Sequence, residues 1–168
     1  MVAELSHLPM LTSLRPNNVE LDVFPFLQLF TNLNTFDAWF PRQSISSLQR
    51  DQIRIASLTD LLLHYQHTDV NELLIVILSD LQLNTLTLIS RKLSSLICLR
   101  RLLALKHLHL EGIDPNLSAS SLLEIAPFLP HLIKLSIRNA VDLSAEDRAQ
   151  LTPPSAIFTA LTKFSYFK

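Results

Sequence analysis

The motif apolar-x-x-apolar-x-apolar, opening each time on leucine, runs seven times through this 168-residue chain. The openings are Leu11, Leu33, Leu58, Leu83, Leu105, Leu132 and Leu161, separated by 22, 25, 25, 22, 27 and 29 residues. At that spacing one supersecondary unit stacks on the next, and no unit can bury its apolar face alone. A stack of this kind is a surface for binding, so the first question is which partner it meets rather than which reaction it runs.

The end of each motif alternates with period two. In Leu105-Lys106-His107-Leu108-His109-Leu110, Leu108 and Leu110 fall on one side of a strand and His107 and His109 on the other. Three copies depart from the pattern. Pro16 takes the last apolar place of the first copy, which predicts an edge or irregular strand there. Ala38 is small at the same place in the second, and the seventh uses Phe164 and Tyr166. Six copies carry a further apolar residue three positions before the opening leucine: Leu8, Phe30, Ile55, Leu102, Leu129 and Phe158. The fourth has Asp80 there instead.

The segments between motifs read as helices in several places. The stretch from Ser44 to Ile55 places Ile45, Leu48 and Ile55 roughly on one face. Ser118 precedes Leu122, Leu123, Ile125 and Ala126 and can act as an N-cap, and Ser144 with Asp147 resembles a capping box with Asp in the Glu position. Pro127 and Pro130 end the fifth helix, and Pro153 and Pro154 break the run before the seventh strand. The expected fold is therefore α/β: a solenoid of about seven units over residues 1–168, with parallel strands on the concave face and helices on the convex one. Burying one leucine is worth ~1.5–3 kcal/mol. That must offset the ordering of some 25 residues per unit, so only the summed stack is stable.

Composition removes several function classes. A net charge of −1, with 17% charged residues, gives no general electrostatic pull towards nucleic acid. The longest apolar run, Leu73 to Leu78, is far short of the ~20 residues a membrane helix needs. One cysteine, Cys98, allows no intrachain disulfide and fits a reducing compartment, cytoplasmic or nuclear. Gly112 is the only glycine, which excludes phosphate-cradling loops and the nucleophile elbow. It is expected to turn the backbone as it leaves the fifth strand.

The motifs LKHLHLEG, LPHLIKLSIRN and LLEIAPFLPHL resemble those of leucine-rich repeat proteins. The sequence is similar to the irregular repeats of fungal F-box proteins, most clearly from Leu93 to Lys168. The resemblance implies a non-catalytic module that holds a substrate for a ubiquitin ligase. The asparagine ladder of that family would fall at Val19, Pro41, Gln66, Arg91, Ile113 and Ala140; none is asparagine, so an uneven stack is expected. An echo of the F-box core itself lies at residues 72–81 and 89–92. That alternative makes residues 83–88 helical, whereas the repeat makes them a strand.

No catalytic set assembles. His107 and His109, or His64 and His67, could each begin a metal site, but neither pair has a third ligand at local spacing. No cofactor is expected. Cys98, among Leu96, Ile97 and Leu99, reads as a buried thiol, and Glu146 and Asp147 as helix-start carboxylates. The candidate partner-binding positions are the outward ones: Arg15, Asp37 and Asp60 in the N-terminal strands, and Lys106, His107, His109, Lys134, Arg138 and Lys163 in the C-terminal ones. The C-terminal stripe is basic with Glu111 beside it, which points to an acidic protein surface; the plainer reading is a solvated strand face. Trp39 and Phe40 are expected at a turn after the second strand, as an interface anchor or a tucked-in loop residue. A stack exposes its core at both ends unless capped, so the chain is expected either to be a partial array, the favoured reading, or to cover its ends with a partner copy.

Overall fold

A computed structural model of the protein describes residues 10–16, 30–40, 57–65, 81–90, 95–112, 119–138, 143–154 and 157–167. Seven strands form one sheet: β1 (Ser13–Leu14), β2 (Thr35–Phe40), β3 (Asp60–Tyr65), β4 (Thr85–Ser90), β5 (His107–Glu111), β6 (Lys134–Arg138) and β7 (Lys163–Phe167). They lie side by side in sequence order, and every neighbouring pair is parallel. The fold is α/β, as the motif spacing requires.

Each strand begins two residues after its opening leucine, so the alternation falls in the same place in every unit. Leu61, Leu63 and Tyr65 of β3 are buried, as are Leu86 and Leu88 of β4, Leu108 and Leu110 of β5, and Leu135 and Ile137 of β6. The hydrophobic and polar residues between them on β3, β5 and β6 are open to solvent or half-buried. Parallel sheets are usually covered on both faces; this one buries a single face and leaves the other open. The opening leucines from Leu33 to Leu161 are at most 5% exposed. Leu11, next to the two-residue β1, is half-buried, in line with Pro16 cutting that strand short.

Backbone hydrogen bonds repeat with the motif. The carbonyl of the residue after each opening leucine accepts two N–H groups from the next unit. Thr12 O takes those of Asn34 and Thr35, Asn34 O those of Thr59 and Asp60, and Thr59 O those of Asn84 and Thr85. Asn84 O takes those of Lys106 and His107, Lys106 O those of Ile133 and Lys134, and Ile133 O those of Thr162 and Lys163. All these bonds are 2.8–3.1 Å. The same junction forms around threonine, asparagine, lysine and isoleucine, so the backbone sets the stacking register on the lead-in side. The positions where an asparagine ladder would fall lie outside the described residues.

The apolar residue three places before the opening leucine starts a tight turn. Leu33, Leu105, Leu132 and Leu161 donate their N–H to the carbonyls of Phe30, Leu102, Leu129 and Phe158, at 3.0–3.2 Å, and all four acceptor residues are buried. Leu8, Ile55 and the exception Asp80 fall outside the described residues. In that fourth unit Leu81, one place later, is buried at 3% exposure.

Helices cover the buried face. Among the described residues they are α1 (Ala119–Ile125), which runs into a 3-10 turn at Ala126–Phe128, and α2 (Ala145–Leu151); a further 3-10 turn spans Ile97–Arg101. Leu99, Leu122, Ile125 and Leu151 carry them into the same core as the strands. The tightening after α1 comes where Pro127 cannot donate a helical N–H. α2 starts on the expected capping box: Ser144 Oγ accepts from the Asp147 N–H at 3.0 Å, and the Ser144 N–H donates to Asp147 Oδ2 at 2.9 Å. Gly112 follows β5 at φ +63°, and its N–H donates to Arg138 O at 3.0 Å, carrying the ladder one step past the strand. The helix read over 44–55 and the Ser118 cap lie outside the described residues.

Two expectations need correction. Residues 85–88 belong to strand β4 and pair with β3 and β5, so the helix that an F-box would require there is not formed. Trp39 and Phe40 do not sit at a turn. They are the last two residues of β2, opposite His64 and Tyr65. The ladder runs on past Ala38 because β3 continues as a six-residue strand with Tyr65 in the core.

Candidate partner-binding face

In-register pairing sorts the outward side chains into rows that cross the strands. The first row is Ser13, Thr35, Asp60, Thr85, His107, Lys134 and Lys163. The second joins Asp37, Leu62, Thr87, His109, Ser136 and Ser165, with Arg15 at its start. The third is Trp39, His64, Ile89, Glu111, Arg138 and Phe167. Neighbouring strands are ~4.8 Å apart, so successive members of a row are in reach of one another.

Of the positions singled out in the sequence, Arg15, Asp37, Trp39, Asp60, His107, His109, Lys134, Arg138 and Lys163 fall in these rows, in two separate groups. The C-terminal group is basic, its charges carried by Lys106, Lys134, Arg138 and Lys163. His107, Lys134 and Lys163 are consecutive in the first row and exposed. Lys106 is exposed in the turn just before β5. Like charges directly opposite on adjacent strands destabilise a sheet, and Lys134 stands opposite Lys163 with no carboxylate in that row beyond Asp60, two strands before His107. Arg138 stacks its guanidinium 5.6 Å from the Phe167 ring centre. His109 Nε2 lies 3.2 Å from Glu111 Oε2, so the one carboxylate in the group is held by a histidine rather than by a lysine. Thr85, Thr87, His107, His109, Lys134 and Ser136, with Arg138 and Phe167, line a depression of about 410 Å³ on the open face.

The N-terminal group is already satisfied within itself. Arg15 Nε meets Asp37 Oδ2 at 3.8 Å, and the Thr59 hydroxyl donates to Asp60 Oδ2 at 2.7 Å. Arg15 is 74% exposed, so its pair contributes little to stability. Trp39 is 36% exposed and its ring lies 5.9 Å from that of His64, tilted by 30°. Leu62 and Ile89 also face this side, half-buried. Sequence reasoning passed over both, although the unbroken run Leu61-Leu62-Leu63 marks an outward leucine wherever alternate residues make the core.

Other candidates resolve into structural roles. Cys98 is buried, and burial pushes its thiol up to about 12, opposed by backbone hydrogen bonds at Cys98 and Leu99. A thiol held protonated in this way is no nucleophile. Among the described residues no three of His, Cys, Asp and Glu group to hold a metal, and no helix is long and apolar enough to cross a membrane. Glu146 and Asp147 occupy the first turn of α2, as read from the sequence. Comparison with protein-family models, with curated proteins and with solved structures found no match.

Proposed function

We propose that the protein is a leucine-rich repeat solenoid that binds an acidic protein segment on its open face and carries out no catalysis. One observation supports this above the rest. Lys134 and Arg138 line a depression together with His107, and Lys163 stands directly opposite Lys134 on the next strand, all without an ion pair to any described carboxylate. Within the sheet that arrangement costs stability, so its advantage lies with something outside it. Oppositely charged surfaces steer association and fix register. Resemblance to F-box repeat proteins makes the partner a client for a ubiquitin ligase, with this solenoid as the recognition part.

The test is affinity capture from cell extract with the wild-type protein and with the double variant Lys134→Glu/Arg138→Glu. The expected result is an acidic partner held by the wild type, released by raised salt and absent from the double variant, at an unchanged melting temperature. Equal retention by both proteins would refute the cationic face as the binding site.

A further inference from the structure

We infer that the open face is a two-part site, taking an extended protein segment with one large apolar side chain and, some residues along, a run of carboxylates. The inference rests on the protein-binding reading above and adds the chemistry of the ligand. Its basis is the outward apolar cluster on β2–β4. Leu62 precedes His64 by two residues on the same strand, so both face outward; Trp39 and Ile89 flank His64 in the third row. None of the three apolar side chains belongs to the buried core on the far side of the sheet. They surround an imidazole already in contact with Trp39 and present a solvent-facing apolar surface where the equivalent places on β5 and β6 carry His109, Glu111, Ser136 and Arg138.

The cluster and the cationic depression are continuous. Ile89 belongs to the first and Thr85 and Thr87 to the second, all on β4. From Leu62 to Lys134 the path crosses three strand spacings and shifts two residues along the strand, roughly 15 Å, which an extended segment covers in about four or five residues. Trp39 and His64 are the two aromatic rings of the cluster, and Ile89, Glu111 and Arg138 follow them in the row, so no series of rings runs on for successive bases to stack on, which favours a peptide over single-stranded nucleic acid.

Trp39 is the only tryptophan of the protein, so its emission reports directly on the apolar part. The probes are synthetic peptides with a phenylalanine, a Gly/Ser spacer of about four residues and a run of glutamates. They are made in both orders, each with an alanine counterpart in place of the phenylalanine. The expected result is that one phenylalanine peptide binds about tenfold more tightly than its alanine counterpart and shifts Trp39 emission to the blue. Leu62→Thr, and separately Ile89→Thr, should remove that advantage while keeping a β-favouring residue. Lys134→Glu/Arg138→Glu should remove binding of all the peptides. Equal affinity for phenylalanine and alanine peptides, or an advantage that survives both threonine variants, overturns the two-part site and leaves the cationic face standing. No binding by any peptide, or tighter binding of a single-stranded oligonucleotide, overturns both.

Discussion

Gly112 holds a backbone conformation that restricts the residue that can occupy it. At φ +63° an L-residue meets its own Cβ in strain, although nothing lies within 4 Å of where that Cβ would be. The penalty is therefore conformational, and Gly112→Ala should lose ~1 kcal/mol in denaturant unfolding, with Asn losing less. Ser144 carries the only N-cap that the sequence located and the structure describes. Removing its hydroxyl deprives the Asp147 N–H of its acceptor, so Ser144→Ala should lose ~1 kcal/mol by the same measurement. Among the described residues, Cys98 and Tyr65 make stability depend on alkaline pH. Burial raises the Cys98 thiol from 9.0 to about 12 and lifts Tyr65 well above 10.0. The folded state holds these protons more tightly than the unfolded state, so the stability they contribute is complete below about pH 9 and is lost as pH climbs towards 12. The melting temperature should fall across that window, and Cys98→Ala should flatten the fall; an identical slope in the variant would remove the thiol from the explanation.

The elements were legible in the sequence as far as period-two alternation reached. It located the leading part of every strand, because leucines at fixed offsets from the opening residue have one place to go. It did not place the strand ends. Trp39 and Phe40 read as a turn because the motif stops at Ala38, and only pairing with His64 and Tyr65 extends β2. The same ladder separates the F-box alternative from the repeat: ILSDL and ISRK suit either, but in-register pairing with β3 and β5 fixes residues 85–90 as a strand. Pairing is non-local, so local sequence does not carry it. A direct check on the register compares neighbours on β5. Leu108→Ala, at a position 1% exposed, should cost ~2–5 kcal/mol. His107→Thr, one residue earlier on the open face, should stay within ~0.5 kcal/mol. The reverse order would put the alternation on the wrong face.

For the molecule as a whole, order of strands equals order of sequence, and every unit joins the next by the same pair of backbone bonds. Stacking of this kind leaves one long face free, and the charge on that face is unevenly divided. The basic stripe was readable from the composition of each unit, since Lys134 and Lys163 recur at equal offsets from their opening leucines and Arg138 closes the same strand. Its isolation from carboxylates was not readable, because the Arg15–Asp37 contact depends on which strands are adjacent and the His109–Glu111 contact on which face both side chains take. The depression lined by Ser136 is where the proposed partner must touch. A photo-crosslinking residue at Ser136, and another at the exposed Arg101 on the helical side, would locate the contact in one measurement on the captured complex. Crosslinks from Ser136 into an acidic segment of the partner, with none from Arg101, are the predicted result; crosslinks from Arg101 alone would contradict binding on the open face.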